Sequence, residues 1–489
     1  MNKFIKLHND DNVAVALEDV EKGYCENGLT AIDDIPTAHK ILLNDLNAGD
    51  NVIKYGYPIG HITEDTPKGS YVHEHNLKTN LSSIIDYSYD GDTKYKPVKS
   101  DITINAYKRK NGKIGIRNEI WIIPTVGCVN KTALALERIG NEIVGKGCDG
   151  VYAYNHPFGC SQLDDDQENT RKILAALVKH PNAGGVLVVS LGCENNNLKT
   201  FKPYLGDIDK ERIKFLCAQD AEDELADGKM LIEEIYNNIK NDKRESVGIE
   251  NLIIGYKCGG SDAFSGITAN ALCGRLNERL TNYGASTILT EVPEMFGAEQ
   301  ILMQRAENRE VFDKTVNMIN GFKHYFYSHG KECYENPSPG NHDGGITTLE
   351  EKSLGCIQKG GKSTVTDVLG YGEPCVKNGL NLLTGPGNDI VSVTNLTAAG
   401  AHLIFFTTGR GTSLGAPVPT VKISSNTQLY NRKKNWIDFN AGELVNGEDF
   451  EKLTDKLLEL LILTVNGKKT KNEINGYRDI SIFKDGVIM

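Results

Sequence analysis

The chain has 489 residues, too many for one ordinary domain, and this length predicts about two to four domains. Apolar residues make up 39% of the chain and charged residues 24%, which is typical of a globular protein and excludes a disordered one. The 54 basic and 65 acidic residues give a formal charge of −11, which argues against a nucleic acid as a partner.

The N-terminus and the cysteines indicate the compartment. Acidic residues occur early in the N-terminal segment, where a secretory signal needs an apolar core, and no apolar stretch reaches the ~20 residues that span a bilayer. The 11 cysteines include no Cys-x-x-Cys pair, so neither a disulfide framework nor a zinc ribbon is expected. We therefore expect a protein of the reducing cytoplasm that has no membrane partner.

Residues 1–85 have the pattern of a small β-rich, clip-like domain. Short strand-like runs alternate there with turn sequences such as Pro67-Lys68-Gly69. The polar stretch over residues 86–103 has no periodicity and predicts a linker.

The rest of the chain alternates strand-like and helix-like segments, which predicts two α/β layered domains over residues 104–246 and 247–489. The apolar runs at 185–191 and 402–408 are typical of parallel strands that are covered on both faces. Helices are predicted at 131–144, 169–178, 220–239, 269–280, 298–303 and 450–465.

Histidines in the N-terminal part form the first candidate site. His73 and His75 are separated by one residue, and in a strand this spacing places both side chains on one face. With His39 as a third ligand, they would suit iron, manganese or zinc. The alternative hypothesis is that these are surface histidines or residues that orient a ligand.

Glycine–cysteine pairs at the ends of predicted strands form the second candidate site. Glycine beside a thiol lets the backbone turn sharply or approach a ligand closely. One hypothesis is that some of these thiols bind iron or an iron–sulfur cluster, and the other is that cysteine simply packs well in tight turns. The cysteines concerned are Cys128, Cys160, Cys193, Cys258 and Cys356.

Candidate acid–base groups lie close to these cysteines. His156, Glu194 and Asp262 each stand within four residues of one of the pairs. Abstraction of a proton next to a carboxylate needs a base, together with a cation that stabilises the developing enediolate. Acidic residues on surface turns are more often only solvated, so the candidates are restricted to these motifs.

Glycine-rich loops at 259–261, 385–389 and 407–412 would present backbone N–H groups to an anion. Ser261 and Arg410 belong to two of these loops and suit a carboxylate or a phosphate. The glycines at 409, 411 and 415 miss the Gly-x-Gly-x-x-Gly spacing by one position, so a dinucleotide cofactor is not expected.

Long motifs over nearly the whole chain resemble the altronate/galactarate dehydratase family. The N-terminal part, with Val72-His73-Glu74-His75-Asn76, is similar to the SAF domain of that family. One position departs from the family pattern, because Ala271 stands where proline is usual. Further matching motifs are Gly115-Ile116-Arg117-Asn118-Glu119, Pro124-Thr125-Val126-Gly127-Cys128, Leu191-Gly192-Cys193-Glu194-Asn195, Cys258-Gly259-Gly260-Ser261-Asp262, Glu291-Val292-Pro293-Glu294-Met295 and Thr408-Gly409-Arg410-Gly411.

The resemblance implies a hydro-lyase that removes water from a six-carbon aldonate, D-altronate, and forms 2-dehydro-3-deoxy-D-gluconate. It also implies Fe²⁺ or Mn²⁺ as the cofactor and a small-molecule sugar acid as the partner. The alternatives are a related aldonate or aldarate such as galactarate, an iron–sulfur cluster in place of a single ion, and a sugar-acid binding protein without catalysis. A homo-oligomer stays open.

With this reaction in view, the candidate residues take roles. The predicted catalytic residues are His156, Glu194 and Asp262, and the predicted substrate ligands are Arg117, Asn118, Ser261 and Arg410. For the metal, Cys128, Cys193 and Cys258 compete with His39, His73 and His75.

Overall fold

The computed structural model describes residues 2–81, 87–91, 93–333 and 335–489. The predicted end of the N-terminal domain at residue 85 and the predicted start of the linker at residue 86 lie outside these ranges. Within them, no helix combines the length and the apolar character that crossing a membrane requires.

The N-terminal domain consists of short antiparallel strands because turn residues interrupt the chain every few positions. The strands are β1 (Phe4–Ile5), β2 (Val13–Ala16), β3 (Cys25–Glu26), β4 (Leu29–Thr30), β5 (Lys40–Leu42), β6 (Asn51–Lys54), β7 (Tyr57–Ile62), β8 (Tyr71–Val72) and β9 (Leu77–Lys78). They pair in the orders β1-β2-β5-β8, β6-β7-β9 and β3-β4. Val52 and Ile59 belong to the same apolar cluster as Phe296 and Leu354 of the C-terminal domain, so the two domains share a core.

The middle domain has a parallel sheet in the order β13-β12-β14-β15, with β14 buried along its whole length. Beside it, β10 pairs with β11 and β16 in an antiparallel sheet. The elements are β10 (Thr103–Lys108), β11 (Ile114–Gly115), β12 (Glu119–Pro124), α1 (Asn130–Ile143), β13 (Val151–Ala153), α2 (Asp164–Val178), β14 (Ala183–Ser190), α3 (Leu198–Phe201), β15 (Ile213–Cys217), α4 (Glu224–Ile239) and β16 (Arg244–Gly248).

The C-terminal domain is built on a parallel sheet in the order β19-β20-β18-β17-β21-β22-β23. Its first half comprises β17 (Ile253–Cys258), α5 (Ala269–Asn282), β18 (Ser286–Leu289), α6 (Glu299–Met303), α7 (Arg309–Ser328), α8 (Pro339–His342) and α9 (Leu349–Cys356). Its second half comprises β19 (Val365–Leu369), β20 (Gly379–Leu383), α10 (Asp389–Ala398), β21 (Leu403–Thr408), β22 (Thr420–Ser424), α11 (Thr427–Arg432), β23 (Phe439–Asn440), α12 (Phe450–Val465) and α13 (Lys471–Asn475).

Tyrosines anchor the segment between the N-terminal and middle domains to the C-terminal domain. The Tyr87 hydroxyl donates to Glu299 at 2.6 Å, and the Tyr95 hydroxyl donates to the carbonyl of Thr281 at 2.8 Å. These contacts hold the described part of the segment against α5 and α6.

The predicted fold class is confirmed: a small β-rich domain precedes α/β domains with parallel sheets. Helix α2 begins five residues before the predicted start at 169, at Asp164. Three aspartates form its first turn, where negative charge stabilises a helix N-terminus although no apolar periodicity marks it.

Candidate active site

A cavity of about 570 Å³ lies between the N-terminal and C-terminal domains. This volume is within the usual range of ligand sites. Its walls include Ala38 from the N-terminal domain and Asp262, Gly344, Arg410, Asn426 and Arg432 from the C-terminal domain.

Neighbouring parallel strands bring the C-terminal side chains to this cavity. Asp262 follows β17, Arg410 follows β21 and Asn426 follows β22, and these strands lie side by side in the sheet. The carboxyl edge of such a sheet is the usual place for a ligand site.

Asp262 is the buried acidic group of the cavity. Its carboxylate accepts hydrogen bonds from Ser265, Ser425 and Asn426 at 2.8 to 3.0 Å. Burial nevertheless raises the pKa of Asp262 above its usual value, because the loss of water outweighs these hydrogen bonds. Glycine is required opposite this group, since a Cβ at Gly409 would lie 2.3 Å from the Asp262 carboxyl carbon.

His73, Glu74 and His342, which we call the interface triad, lie next to the cavity. The Glu74 carboxylate lies 3.6 Å from His73 Nε2 and 3.6 Å from His342 Nε2. The three ligand atoms lie within 4.8 Å of one another, a separation that suits one metal ion. Two residues of the cavity wall are close to the triad. Gly344 lies two positions after His342 in the chain, and Ala38 precedes His39, whose ring lies 4.9 Å from the ring of His73.

Hydrogen bonds orient both imidazoles of the triad. His342 Nδ1 lies 2.9 Å from the carbonyl oxygen of Ile346, which can only accept, so Nδ1 carries the hydrogen and a neutral ring has its lone pair at Nε2. His73 Nδ1 contacts the Thr347 hydroxyl at 2.9 Å. Burial and the charge of Lys40 lower the pKa of His73 to about 3, so this imidazole is neutral at pH 7. A 2-His-1-carboxylate set with outer hydrogen bonds of this kind fits a divalent iron or manganese ion.

His39 and His75 have other partners. His39 Nδ1 contacts the Tyr71 hydroxyl at 2.6 Å, and the His39 ring lies 4.9 Å from the His73 ring. His75 is exposed and packs on the ring of Tyr71. The structure therefore brings His73 together with Glu74 and His342 rather than with His75.

A buried ionic contact holds the N-terminal domain against α9. Glu351 accepts from Lys40 Nζ at 2.8 Å and from Lys54 Nζ at 2.7 Å, and each of these side chains is at most 1% exposed. The two ammonium groups outweigh burial and keep the pKa of Glu351 at about 2. Burial lowers the pKa of Lys40 to about 8. The surroundings therefore favour the charged form of Glu351 but disfavour the charged form of Lys40.

The C-terminal domain contains a second cluster of buried charges. Lys257 contacts Glu291, Lys359 contacts Glu291 at 2.9 Å, and Lys352 contacts Glu294 at 2.9 Å. Glu291, Glu294 and the Cys356 thiol are close enough to hold one ion. The three lysine ammonium groups already neutralise these carboxylates and would repel a cation. This cluster is therefore better suited to stabilising the edge of the sheet than to binding a metal.

His156 and Glu194 lie in the middle domain and have no free position for a substrate. His156 Nε2 donates to the carbonyl of Pro124 at 2.8 Å, and its Nδ1 accepts from the backbone of Phe158 at 3.2 Å. Burial lowers the pKa of His156 to about 4.

Glu194 organises its own turn. Burial alone would raise the pKa of Glu194, but hydroxyl donors at 2.6 Å from Ser190 and Thr125 lower it overall. The backbone N–H groups of Leu191 and Gly192 also donate to this carboxylate. All these contacts stabilise the turn after β14.

Arg117 and Asn118 are likewise occupied by structural contacts. Arg117 is 1% exposed and donates to the Glu473 carboxylate and to backbone carbonyls, so all its N–H groups are used. The Asn118 amide donates to the carbonyls of Gly147 and Ile239. Arg117 thus joins the middle domain to the C-terminal segment, Asn118 holds parts of the middle domain together, and neither residue lines the cavity.

The thiols proposed as metal ligands fall into two places. Cys258 is buried beside Ser261 in the C-terminal domain, whereas Cys128 and Cys193 are exposed on the middle domain. The structure therefore does not unite these three thiols in one site. Ser261 lies next to Asp262, and its carbonyl accepts from Asn341 at 2.9 Å.

Sequence reasoning missed Glu74 and His342 as partners. Glu74 stands between His73 and His75, so its position in this motif could have identified it as a third ligand. His342 lies shortly before Gly344 and Gly345, but no nearby sequence feature relates it to the N-terminal domain. The two regions are far apart in the chain, since His73 and Thr347, which are in contact, are separated by 274 positions.

Family models match the chain in three consecutive parts. Residues 2–80 match the altronate/galactarate dehydratase SAF domain. Residues 106–240 match the second domain of D-galactarate dehydratase/altronate hydrolase, and residues 249–488 match the C-terminal domain of D-galactarate/altronate dehydratase.

Similar proteins match over all or nearly all of their length. The chain is 48% identical to an altronate dehydratase of Escherichia coli (strain K12) and 50% identical to one of Bacillus subtilis (strain 168), with 100% of each chain covered. It is 31% identical to a galactarate dehydratase (L-threo-forming) of Escherichia coli (strain K12), over 95% of this chain and 93% of the relative.

Proposed function

The chain belongs to the altronate/galactarate dehydratase family of enzymes, and on that premise we propose that it dehydrates D-altronate to 2-dehydro-3-deoxy-D-gluconate. The choice of substrate is supported by the higher identity to the two altronate dehydratases, 48% and 50%, than to the galactarate dehydratase, 31%. The observation that carries the site is the cavity that holds Asp262 and Arg410 beside the interface triad.

The interface triad would hold the divalent metal, with Fe²⁺ as the proposed ion and Mn²⁺ as its alternative. The donor set supports this: two imidazoles and one carboxylate, with outer hydrogen bonds that fix the rings. When bound there, such an ion supplies positive charge that stabilises a developing enediolate.

Arg410 would bind the carboxylate of the substrate. Its side chain is 52% exposed at the cavity and lies 3.8 Å from Asp343, a contact loose enough to be exchanged for a ligand. A guanidinium binds a carboxylate through two parallel hydrogen bonds, and Arg432 adds a second positive charge to the same wall.

Asp262 would accept the proton from C2. Its raised pKa makes it a stronger base than an ordinary aspartate, and its hydrogen bonds hold the carboxylate in one orientation. Elimination removes this proton from C2 and the hydroxyl group from C3, so the sum of the lost atoms is one water. The enol that forms rearranges to the 2-keto acid. The reaction involves no net oxidation or reduction, so it needs no redox cofactor.

The test is release of a 2-keto acid from D-altronate by the full-length protein, purified and assayed without oxygen in the presence of Fe²⁺. Galactarate and D-gluconate serve as matched substrates. Turnover of D-altronate well above both supports the proposal, whereas preference for galactarate or inactivity on all three contradicts it.

A further inference from the structure

Three exposed thiols stand at one edge of the middle-domain sheet. Cys128 follows β12, Cys160 follows β13 and Cys193 follows β14, and these strands are neighbours in the order β13-β12-β14. Because the strands are parallel, all three loops leave the sheet at the same edge.

Backbone contacts tie the three loops together. The N–H of Gly127 donates to the carbonyl of Phe158 at 2.9 Å, which joins the first loop to the second. The N–H of Asn196 donates to the carbonyl of Gly159 at 3.0 Å, which joins the second to the third. The two residues before Cys160 thus contact both of the other loops.

The close approach of these loops depends on glycine. Gly159 has a φ of +102°, and a Cβ there would lie 2.0 Å from the carbonyl oxygen of Thr125. The buried Glu194 carboxylate fixes the third loop through the donors described above. The edge is therefore a rigid arrangement that presents three thiols to solvent.

Buried polar groups on the same loops lack partners within the described residues. Gln162 Nε2 and Asn196 Oδ1 belong to side chains at most 3% exposed, yet neither atom has a hydrogen-bond partner. The buried atoms Asn130 Oδ1, at the start of α1, and Asn155 Oδ1, on the second loop, also lack a partner. Unpaired buried polar atoms are costly, so their presence on and next to the three thiol loops points to a group that binds there.

The three thiols do not form a preformed site for a single ion. In the described part of the chain, the only sets of three ligands within 4.8 Å of one another are the interface triad and the Glu291 cluster. The three thiols are therefore too far apart to be preformed ligands of a single ion. In an iron–sulfur cubane each thiolate binds a different iron, so wider spacing is required.

We propose that Cys128, Cys160 and Cys193 bind a four-iron, four-sulfide cluster. Each thiol loses its proton as its sulfur binds one iron, and the fourth iron has no protein thiolate. This site is separate from the interface triad, and it is proposed independently of the dehydration of D-altronate.

The test is reconstitution of the full-length protein with equal amounts of Fe²⁺ and Fe³⁺ and with inorganic sulfide in the absence of oxygen, so that two ferrous and two ferric ions form the cluster without a further oxidant. Bound iron, acid-labile sulfide and the visible absorption of the cluster are measured in the wild type and in C128S, C160S and C193S. Cys25→Ser is the matched control because Cys25 is also exposed but lies in the N-terminal domain. We expect sulfide content to fall about tenfold or more in each edge variant and to be unchanged in the control, since loss of even outer-shell groups weakens metal sites by about that factor.

A second measurement needs no substitution. In the loaded wild type, peptides that contain Cys128, Cys160 and Cys193 should be protected from alkylation, while Cys25 stays reactive. The proposal is overturned if the wild type binds no sulfide, if it binds iron alone, if the edge variants keep the cluster, or if the three thiols are alkylated as fast as Cys25. Dehydratase activity is not measured, so this result and that of the altronate assay are decided separately.

Discussion

Asp262 has two opposed influences on its proton affinity. Burial favours the neutral acid, whereas donors from Ser425 and Asn426 favour the carboxylate. The net rise in pKa suits a general base, because it increases the basicity of the carboxylate.

Replacement of Asp262 by Asn tests this role. We expect kcat on D-altronate to fall by about 10²–10⁴, the usual contribution of general acid–base catalysis, in a variant that circular dichroism shows to be folded. Asp165→Asn, at an exposed position in the first turn of α2, is the control. Activity of D262N within about threefold of the wild type would remove Asp262 from the mechanism.

Arg410 is expected to act on binding. Arg410→Met removes a charge-assisted hydrogen-bond donor worth about 1.5–3 kcal/mol, so kcat/KM should fall about 10- to 100-fold, mainly through KM. Steady-state kinetics of this variant are compared with those of Arg138→Met, where an exposed arginine on α1 is lost. Equal KM values in the two variants would contradict contact between Arg410 and the substrate.

At the scale of elements, the interface triad joins the segment after β8 to the end of α8. Neither element provides a complete site, because each contributes too few ligands. A metal bound there would connect the two domains and link binding to their association.

The triad predicts which histidines matter for metal binding. His73→Ala and His342→Ala should each weaken Mn²⁺ binding by at least about tenfold, because a direct ligand is lost. His75→Ala is the matched control, since His75 lies two residues away but outside the triad. Calorimetric titration under anaerobic conditions measures the affinities, and equal losses in H73A and H75A would argue against this ligand set.

The contact between α9 and the N-terminal domain predicts a large effect on stability. Glu351→Gln leaves two ammonium groups buried without a counter-charge, so the free energy of unfolding should fall by about 3–5 kcal/mol. Denaturant unfolding monitors the change, with Glu448→Gln, a partly exposed carboxylate that contacts Lys456, as the control. A loss below about 1 kcal/mol would show that water reaches these lysines.

At the scale of the whole molecule, the contact of Glu351 with Lys40 and Lys54 makes the free energy of unfolding depend on pH. The pKa of Glu351 is about 2 in the folded chain against an ordinary value of 4.5, so its contribution is complete above pH 4.5 and is lost as pH falls towards 2. Lys40, whose pKa is about 8, stays protonated throughout this range and does not change the slope.

Acid unfolding of the wild type and of E351Q measures this pH dependence of stability. The wild type should lose more stability than E351Q between pH 4.5 and pH 2, because only the wild type must protonate this carboxylate. Thermal unfolding at several pH values provides the comparison. Parallel curves for the two proteins would show that Glu351 is not the responsible group.

The alternation of strands and helices and the carboxyl-edge motifs were predictable from the sequence because they depend on local periodicity and on turn residues. Asp262, Arg410 and His73 were selected as candidates this way, since each lies in a short motif at the end of a strand or in a turn. His156, Glu194 and Arg117 were selected by the same signal, although their partners are structural. A motif shows that a turn is specialised, but not whether its polar groups face a ligand or the backbone.

The sequence by itself determined the family, the α/β class and the residues that stand at strand ends, because these follow from spacing along the chain. Only the tertiary structure decided that His73 and Glu74 meet His342, that Cys258 lies apart from Cys128 and Cys193, and that Glu351 receives two lysines of another domain. The reason is physical: metal ligation, ion pairing and proton transfer depend on separations of a few ångströms. Chain folding sets those separations between residues that can be hundreds of positions apart.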